Sequence, residues 1–375
     1  MDYDVIVIGA GSMGMAAGYY LAKSGKRVLL LDKNDPPHAD GSHHGETRII
    51  RHAYGEGEKY VEMALRSQQL WEQLEAEAEK NLFIPTGVVN VGTEKSDFIA
   101  SVIESAVKHD LPIEKLTAAE IQERWKGFTI PKGYIGCFER TSGVLKSEEC
   151  IRVYKDIAIQ NGAQVRANVA ITGMNIEPED VTVTTDQGEF TSKYVIITAG
   201  AGTNQLLSLV DIELPLEETR QTFSWFEHDS TFYESGNFPA FFVESDIGDY
   251  YGFPSIEDAG VKIGRHDIGV PRDMKEPIED FGTYEEDKGD VLAFTKNFMS
   301  SPFQHKRGLP CTYTRTPDDD FIIDTLPGHR NAWIACGFSG HGFKFASAVG
   351  EELSEMITKG SSTLDLAYFN LKRFN

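Results

Sequence analysis

The chain has 375 residues, with 58 Asp and Glu against 36 Lys and Arg, a formal net charge of -22. A surface of that sign repels nucleic acid and anionic membrane, so neither is expected as a partner. The length exceeds one usual core, and the four cysteines (Cys137, Cys150, Cys311, Cys336) form no CxxC pair, which argues against a zinc ribbon or a secreted disulfide scaffold and fits a reducing, cytoplasmic setting.

At the N-terminus, MDYDVIVIGAGSMG lacks a basic stretch, and its apolar run is soon broken by glycine, so it reads as neither signal peptide nor membrane span. It reads as a strand over 4–8, a glycine turn and a helix that ends at Gly25 as a C-cap; KRVLLLD then forms a second strand closed by Asp32. Gly9, Gly11 and Gly14 make GxGxxG directly between strand and helix. The first glycine allows the tight turn, the second the approach of a pyrophosphate, and the third close helix–strand packing; Asp32 stands where an acid accepts hydrogen bonds from ribose. The spacing predicts dinucleotide binding without distinguishing NAD from FAD. The alternative is a coincidental turn with Asp32 as a strand-end cap.

The next stretch, GSHHGETRIIRH, holds three histidines and two arginines in twelve residues. The segment from ETRIIRHAY through LEAEA is expected to be helical, interrupted at GEG, so that Arg48 and Arg51, three apart, share a face with His44 and His52 beside them. Two guanidiniums oppose a metal cation, and the sharper reading is a clamp for a carboxylate; the bland one is a solvated helix face with ordinary salt bridges. Residues 82–92 alternate as a strand. Helices follow over 98–125, the second opened by Thr117 with Glu120 in a capping box, and over 151–161. Strands then lead into a second glycine turn at Gly200.

Residues 216–270 are rich in aromatics and strands. In VKIGRH, Lys262 and His266 point the same way if the segment is a strand. A lysine turned toward a cofactor can stabilise developing negative charge, whereas an exposed strand lysine is the bland reading. Tyr250, Tyr251 and Tyr313 can wall a cavity, although core packing is the default. Residues 276–300 are expected to be helical. Cys311 follows Pro310 among polar residues rather than in an apolar run, unlike most lone cysteines. The chain closes with the strand AWIACGF, the loop SGHGF carrying Gly340, His341 and Gly342, and a last helix starting at Lys344, a second candidate cation for the anion, or else a solvated helix-start lysine. The βα pattern occurs at the start, near 195–207 and near 333–357. The fold class is therefore α/β, mixed with α+β, its nucleotide domain built from three separated segments.

Five segments in order, GAGSMG…GYYLA, PPH…GSHHGETRIIRHAYGEGEKY, YYGFP…KIGRH, CTYT…TPDDDFIIDTLPGH and GFSGHGFKFAS, resemble the monomeric sarcosine oxidase and N-methyltryptophan oxidase family of amine-oxidising flavoproteins, with CTY, DTLPGH and LKRF nearer the N-methyltryptophan branch. The resemblance covers nearly the whole chain. It implies an FAD-binding Rossmann-like domain (1–85, 145–217, 305–375) interleaved with a p-hydroxybenzoate-hydroxylase-like substrate domain (86–144, 218–304). It implies FAD held by Gly9, Gly11, Gly14, Asp32, Gly200, Gly340, Gly342 and Lys344 and joined through a thioether to Cys311. Arg51 and Lys344 fall on the carboxylate-binding positions and Lys262 on the oxygen-activating one. Arg48, His44, Tyr251, His266 and Tyr313 fall on positions that tune the flavin or line the substrate cavity. Phe242 stands where sarcosine oxidases carry methionine. The expected activity is oxidation of an N-methyl amino acid (N-methyltryptophan or sarcosine) by O2, giving H2O2, formaldehyde and the free amino acid, in a monomer. Rival readings are an FAD dehydrogenase using another acceptor, which oxygen consumption separates, and a non-catalytic flavin-binding protein, whose flavin no substrate bleaches.

Overall fold

Val5, Ile6 and Val7 are fully buried because the strand they belong to, Tyr3–Ile8, is flanked by parallel neighbours on both sides, Val28–Leu31 and the end of Gly188–Ile197. A strand covered on both faces reads as a continuous apolar run. The computed structural model describes residues 1–228 and 231–374. Its first sheet has eight strands: Gln164–Arg166 extends one edge, Ala332–Cys336 enters parallel beside Gly188–Ile197 and carries Ile322–Thr325 antiparallel on its far side, and the hairpin Ile171–Ile176/Val181–Thr185 continues the other side. The helix Ser12–Lys23 packs on this sheet through Gly18, where a Cβ would come within 2.6 Å of Leu30, and meets the last helix, Ala346–Thr358, where Gly350 lies against Ala16. Gly25, at φ 80°, ends the first helix as expected; its N–H bonds Ala22 O, and Lys26 N–H reaches back to Leu21 O.

The second sheet has nine strands. Glu217–Glu227 pairs antiparallel with Gln304–Arg315 on one side and Val261–Arg265 on the other; Gly248–Phe253, Ala240–Ser245, Val88–Thr93, Tyr134–Glu139 and Ile113–Thr117 follow. Its aromatic core stacks Phe241 and Tyr250 on Phe294 of the helix Glu286–Phe298. The boundary expected at residue 305 thus falls at the start of a strand belonging to this second sheet, which carries Cys311 and Tyr313 with it. The capping box at Thr117 and Glu120 is present and opens the helix Ala118–Arg124.

Three local expectations are corrected. Residues 47–50 are a strand, not a helix: Thr47–Ile50 pairs antiparallel with Gly143–Lys146, which also holds Phe83–Ile84. Its β-branched Thr47, Ile49 and Ile50 suit that pairing, and beyond the GEG break a single 3-10 turn, Glu58–Tyr60, leads into the α-helix Val61–Ala78. The strand expected over 82–92 is two strands, interrupted near Pro85, which cannot donate to a ladder. Finally, the helix expected over 276–300 spans only Glu286–Phe298. Among the described residues no helix is long and apolar enough to cross a membrane.

Candidate active site

A cavity of about 1090 Å³ runs from the first glycine turn to the loop before the last helix. Gly9 sits at φ 90°, and a Cβ there would lie 2.4 Å from Thr198 O; at Gly14 a Cβ would lie 1.9 Å from Gly9 O. Neither position admits a side chain, so the turn stays flat against the second glycine segment. The helix that starts at Ser12 has no acidic residue in its first turn and no side-chain cap, which leaves its positive end to the cavity. Asp32 accepts from Ala10 N–H (2.7 Å) and Asn34 N–H (2.9 Å) and faces His38 at 3.4 Å. Burial pushes its pKa up, but His38 and the two amides outweigh this and hold it below the usual carboxylate range. Asp32 is thus both the strand-end cap and a cavity-wall acid, two readings that do not exclude one another.

At the other end Arg48, in the strand Thr47–Ile50, and Arg51, just after it, point apart. Arg48 donates to the carbonyls of Ser42 (2.6 Å), His44 (2.7 Å) and Thr47 (2.7 Å), and among the described residues no carboxylate pairs with it. Its charge therefore remains available beside Cys311, whose thiol burial pushes up to about 11 against the opposing pull of Arg48 and Lys262. His44 is held neutral, its pKa lowered to about 4 by burial and then by Arg48. Arg51, just past the strand, faces the cavity's far end. It donates to Asn90 Oδ1 (2.9 Å) and to Glu56 Oε1 (2.6 Å), and rests against the rings of Phe242 (4.9 Å), Phe98 (5.2 Å) and Tyr54 (5.3 Å). Lys344 approaches the same Tyr54 ring, donating to Tyr54 Oη (2.9 Å) and His341 O (2.8 Å). Burial, then Arg51, lower its pKa to about 7, although Glu56 opposes this. His266 lies between Phe242 and Tyr313, its pKa lowered by burial to about 4.

Of the residues singled out in the sequence, His44, Arg48, Arg51, Tyr251, His266, Cys311, Tyr313 and Lys344 border this cavity, as do Gly9, Gly11, Asp32, Gly200, Gly340 and Gly342. Tyr250 is core, stacked on Phe294, and Gly14 acts within the helix packing. Lys262 is set behind the wall. Its Nζ donates to Gly45 O (2.6 Å) and Thr47 O (3.1 Å), with Phe223, Trp225 and Phe253 around it. His52 does not flank the cavity; its ring and backbone N–H bond the buried carboxylate of Glu139. Glu56, Asn90 and Phe98 surround Arg51 without having been anticipated. Nothing local marks an acid in an acidic chain, and Asn90 reaches Arg51 only through folding.

The match to the FAD dependent oxidoreductase family spans residues 4–356. The chain belongs to that family. It is 46% identical to a monomeric sarcosine oxidase of an Arthrobacter species over 99% of this chain and 96% of the relative, and 44% identical to an N-methyl-L-tryptophan oxidase of Citrobacter koseri over the whole of both. Those identities are too close to rank the two branches. L-Proline dehydrogenase from P. horikoshii shares the fold at a TM-score of 0.85 and 24% identity, over 99% of this chain and 97% of that one.

This member of the FAD dependent oxidoreductases presents what a dinucleotide requires: a flat glycine cradle, an unopposed helix end, a ribose-side acid and a continuous cavity. Gly9, Gly11, Asp32 and Arg48 all line this cavity. Because a Cβ at Gly14 must displace backbone, Gly14→Ala is expected to cost about 1–3 kcal/mol. Flavin content per chain and Tm measure this, and full occupancy at an unchanged Tm would contradict it.

Proposed function

We propose that the chain oxidises secondary N-methyl amino acids with O2 and water to H2O2, formaldehyde and the free amino acid. The observation that carries this reading is the convergence of Arg51 and Lys344 at one end of a cavity whose other end is the nucleotide cradle. A substrate carboxylate replaces Glu56 on Arg51 and gains Lys344 as a second cation. Guanidinium suits this because it grips both carboxylate oxygens. The amine must be neutral to be oxidised, and the fixed charges of Arg48 and Arg51 favour that form. His266, neutral itself, adds no charge there. Phe242, backed by Phe98 with ring centroids 4.6 Å apart, gives the substrate's apolar portion a wall. FAD, when bound, supplies the two-electron chemistry. Tyr251 and Tyr313 border the ring's side of the cavity, and Gly340 and Gly342 let the loop before Lys344 approach closely. Lys262 stabilises the negative charge that O2 acquires.

In this reading Cys311 carries the flavin through a thioether, and the protein acts as a monomer. The interleaved nucleotide and substrate domains follow the two large sheets, with 304–315 assigned to the second. Acid precipitation of the purified protein is expected to leave yellow colour in the pellet, and Cys311→Ser to move it to the supernatant. A yellow supernatant from the unmodified chain defeats the thioether. Next comes a panel of N-methyl amino acids with oxygen uptake and peroxide both measured. Substrate bleaching without oxygen uptake would replace the oxidase with a dehydrogenase, and no bleaching by any member would overturn the activity.

A further inference from the structure

Behind Lys344 lies a second, smaller cavity of about 110 Å³ that touches the main one at Glu56, His266 and His341 and reaches the protein surface at Asp318 and Asp319. Its walls are polar, and it is roomy enough for several waters. Between it and Lys344 runs a chain of polar contacts that ends at His341 Nε2, beside a backbone carbonyl and the small cavity. Lys344 Nζ is 2.9 Å from Tyr54 Oη, Tyr54 Oη is 2.9 Å from His341 Nδ1, and His341 Nε2 is 3.3 Å from Asp319 O at the small cavity. Tyr54 is fully buried, and His341 and Lys344 are 8% and 6% exposed.

We propose that Tyr54 and His341 are a proton path that charges Lys344 from the small cavity when a carboxylate closes the main one. This rests on the reading of Lys344 as a carboxylate-holding cation. In the resting state this path requires, the donor order is the reverse of that given above: Lys344 is a neutral amine that accepts from Tyr54 Oη, and His341 carries its proton on Nδ1, leaving Nε2 to accept from small-cavity water rather than bond Asp319 O. A proton from cavity water bonds to His341 Nε2; the Nδ1 proton passes to Tyr54 Oη; the tyrosine's own proton passes to Lys344 Nζ. One proton enters, the imidazole changes tautomer, and neither relay group is left charged. The hydrogen-bond donors then match the final state, with Lys344 donating to Tyr54, Tyr54 to His341 Nδ1, and His341 Nε2 to Asp319 O. The groups facing Lys344 agree: Arg51 and Arg48 oppose its charge, Glu56 favours it, and His266, His341 and Tyr54 are held neutral by burial. A carboxylate supplies the missing counter-charge.

The test uses FAD-loaded protein and methoxyacetate, which has the carboxylate but no ionisable amine. At about pH 8, binding is expected to take up about one proton per flavin, read by an indicator dye in weak buffer, and affinity is expected to fall up to about tenfold per pH unit above the Lys344 value. Tyr54→Phe and His341→Gln are expected to keep most of that uptake but slow it roughly 10²-fold. In the unmodified protein the uptake is expected to slow in D2O. Uptake as fast in both variants as in the parent, or insensitive to D2O, overturns the path. Lys344→Met is expected to abolish uptake and weaken binding. Weakened binding with the proton still taken up points to Glu56 as the acceptor and overturns the path alone. Binding as tight as the parent's defeats the clamp reading beneath it.

Discussion

Replacing Arg51 with methionine is expected to lower kcat/KM for an N-methyl amino acid by about 10²–10³-fold, most of it as a raised KM. A buried charge pair truncated on one side costs about 2–5 kcal/mol, and each 1.4 kcal/mol is tenfold. Arg51 is only 4% exposed, so water cannot replace the lost contact. The variant also strands Glu56, whose carboxylate the guanidinium of Arg51 above all holds at about 2 despite burial. Without Arg51 that pKa is expected to rise, so substrate binding in the variant should improve as pH falls and Glu56 is neutralised. Arg51→Lys should recover little, because an ammonium cannot reach Asn90 and a carboxylate in the same planar fork. Flavin content should be unchanged, since Arg51 lies away from the glycine turn. Steady-state kinetics across pH measure this; a KM within twofold of the parent's would remove Arg51 from the clamp.

Lys262→Met is expected to separate the two half-reactions. Reduction by substrate should change little, while reoxidation by O2 should slow by about 10²–10³-fold, the size of effect seen when one preorganised charge-stabilising donor is removed. The lysine is anchored on two backbone carbonyls, and among the described residues no carboxylate forms an ion pair with it, although Glu46 and Glu148 favour its charge from a distance. Burial, then Arg48, push its pKa well below the ordinary lysine range. A site that disfavours its own cation gains most when negative charge appears beside it, because attraction strengthens where water is excluded. Rapid mixing of reduced protein with oxygenated buffer, and of oxidised protein with substrate, measures each limb. Equal slowing of both would reduce Lys262 to a packing role.

What could be read from the chain depended on how local the determining contacts are. The strand–turn–helix at Gly9–Gly14 was legible because backbone conformation alone demands those glycines, and the cap at Thr117 because both of its bonds close within three residues. The segment TRII was not. Its pattern suits a helix face and a strand equally, and the partner that decides it, Gly143–Lys146, lies almost a hundred residues away. That error also misplaced the arginines: on a helix they share one face, whereas in the fold Arg48 secures the loop before it and Arg51 turns to Asn90 and Glu56. Lys262 was recognisable as a candidate, but not its position behind Phe253 rather than on the wall.

The strand Ala332–Cys336, which lies parallel to Gly188–Ile197 in the same sheet as Tyr3–Ile8, has a consequence for how the protein comes into being. The glycine turn emerges from the ribosome early, yet that strand and the loop bearing Lys344 follow only after roughly 15–65 s of synthesis at ordinary speed. Until then the first sheet lacks an inner member and the carboxylate end of the cavity does not exist. The cavity is therefore completed only late in synthesis, and a nascent chain stalled before residue 332 has an open strand edge and a glycine turn with no closed cavity behind it.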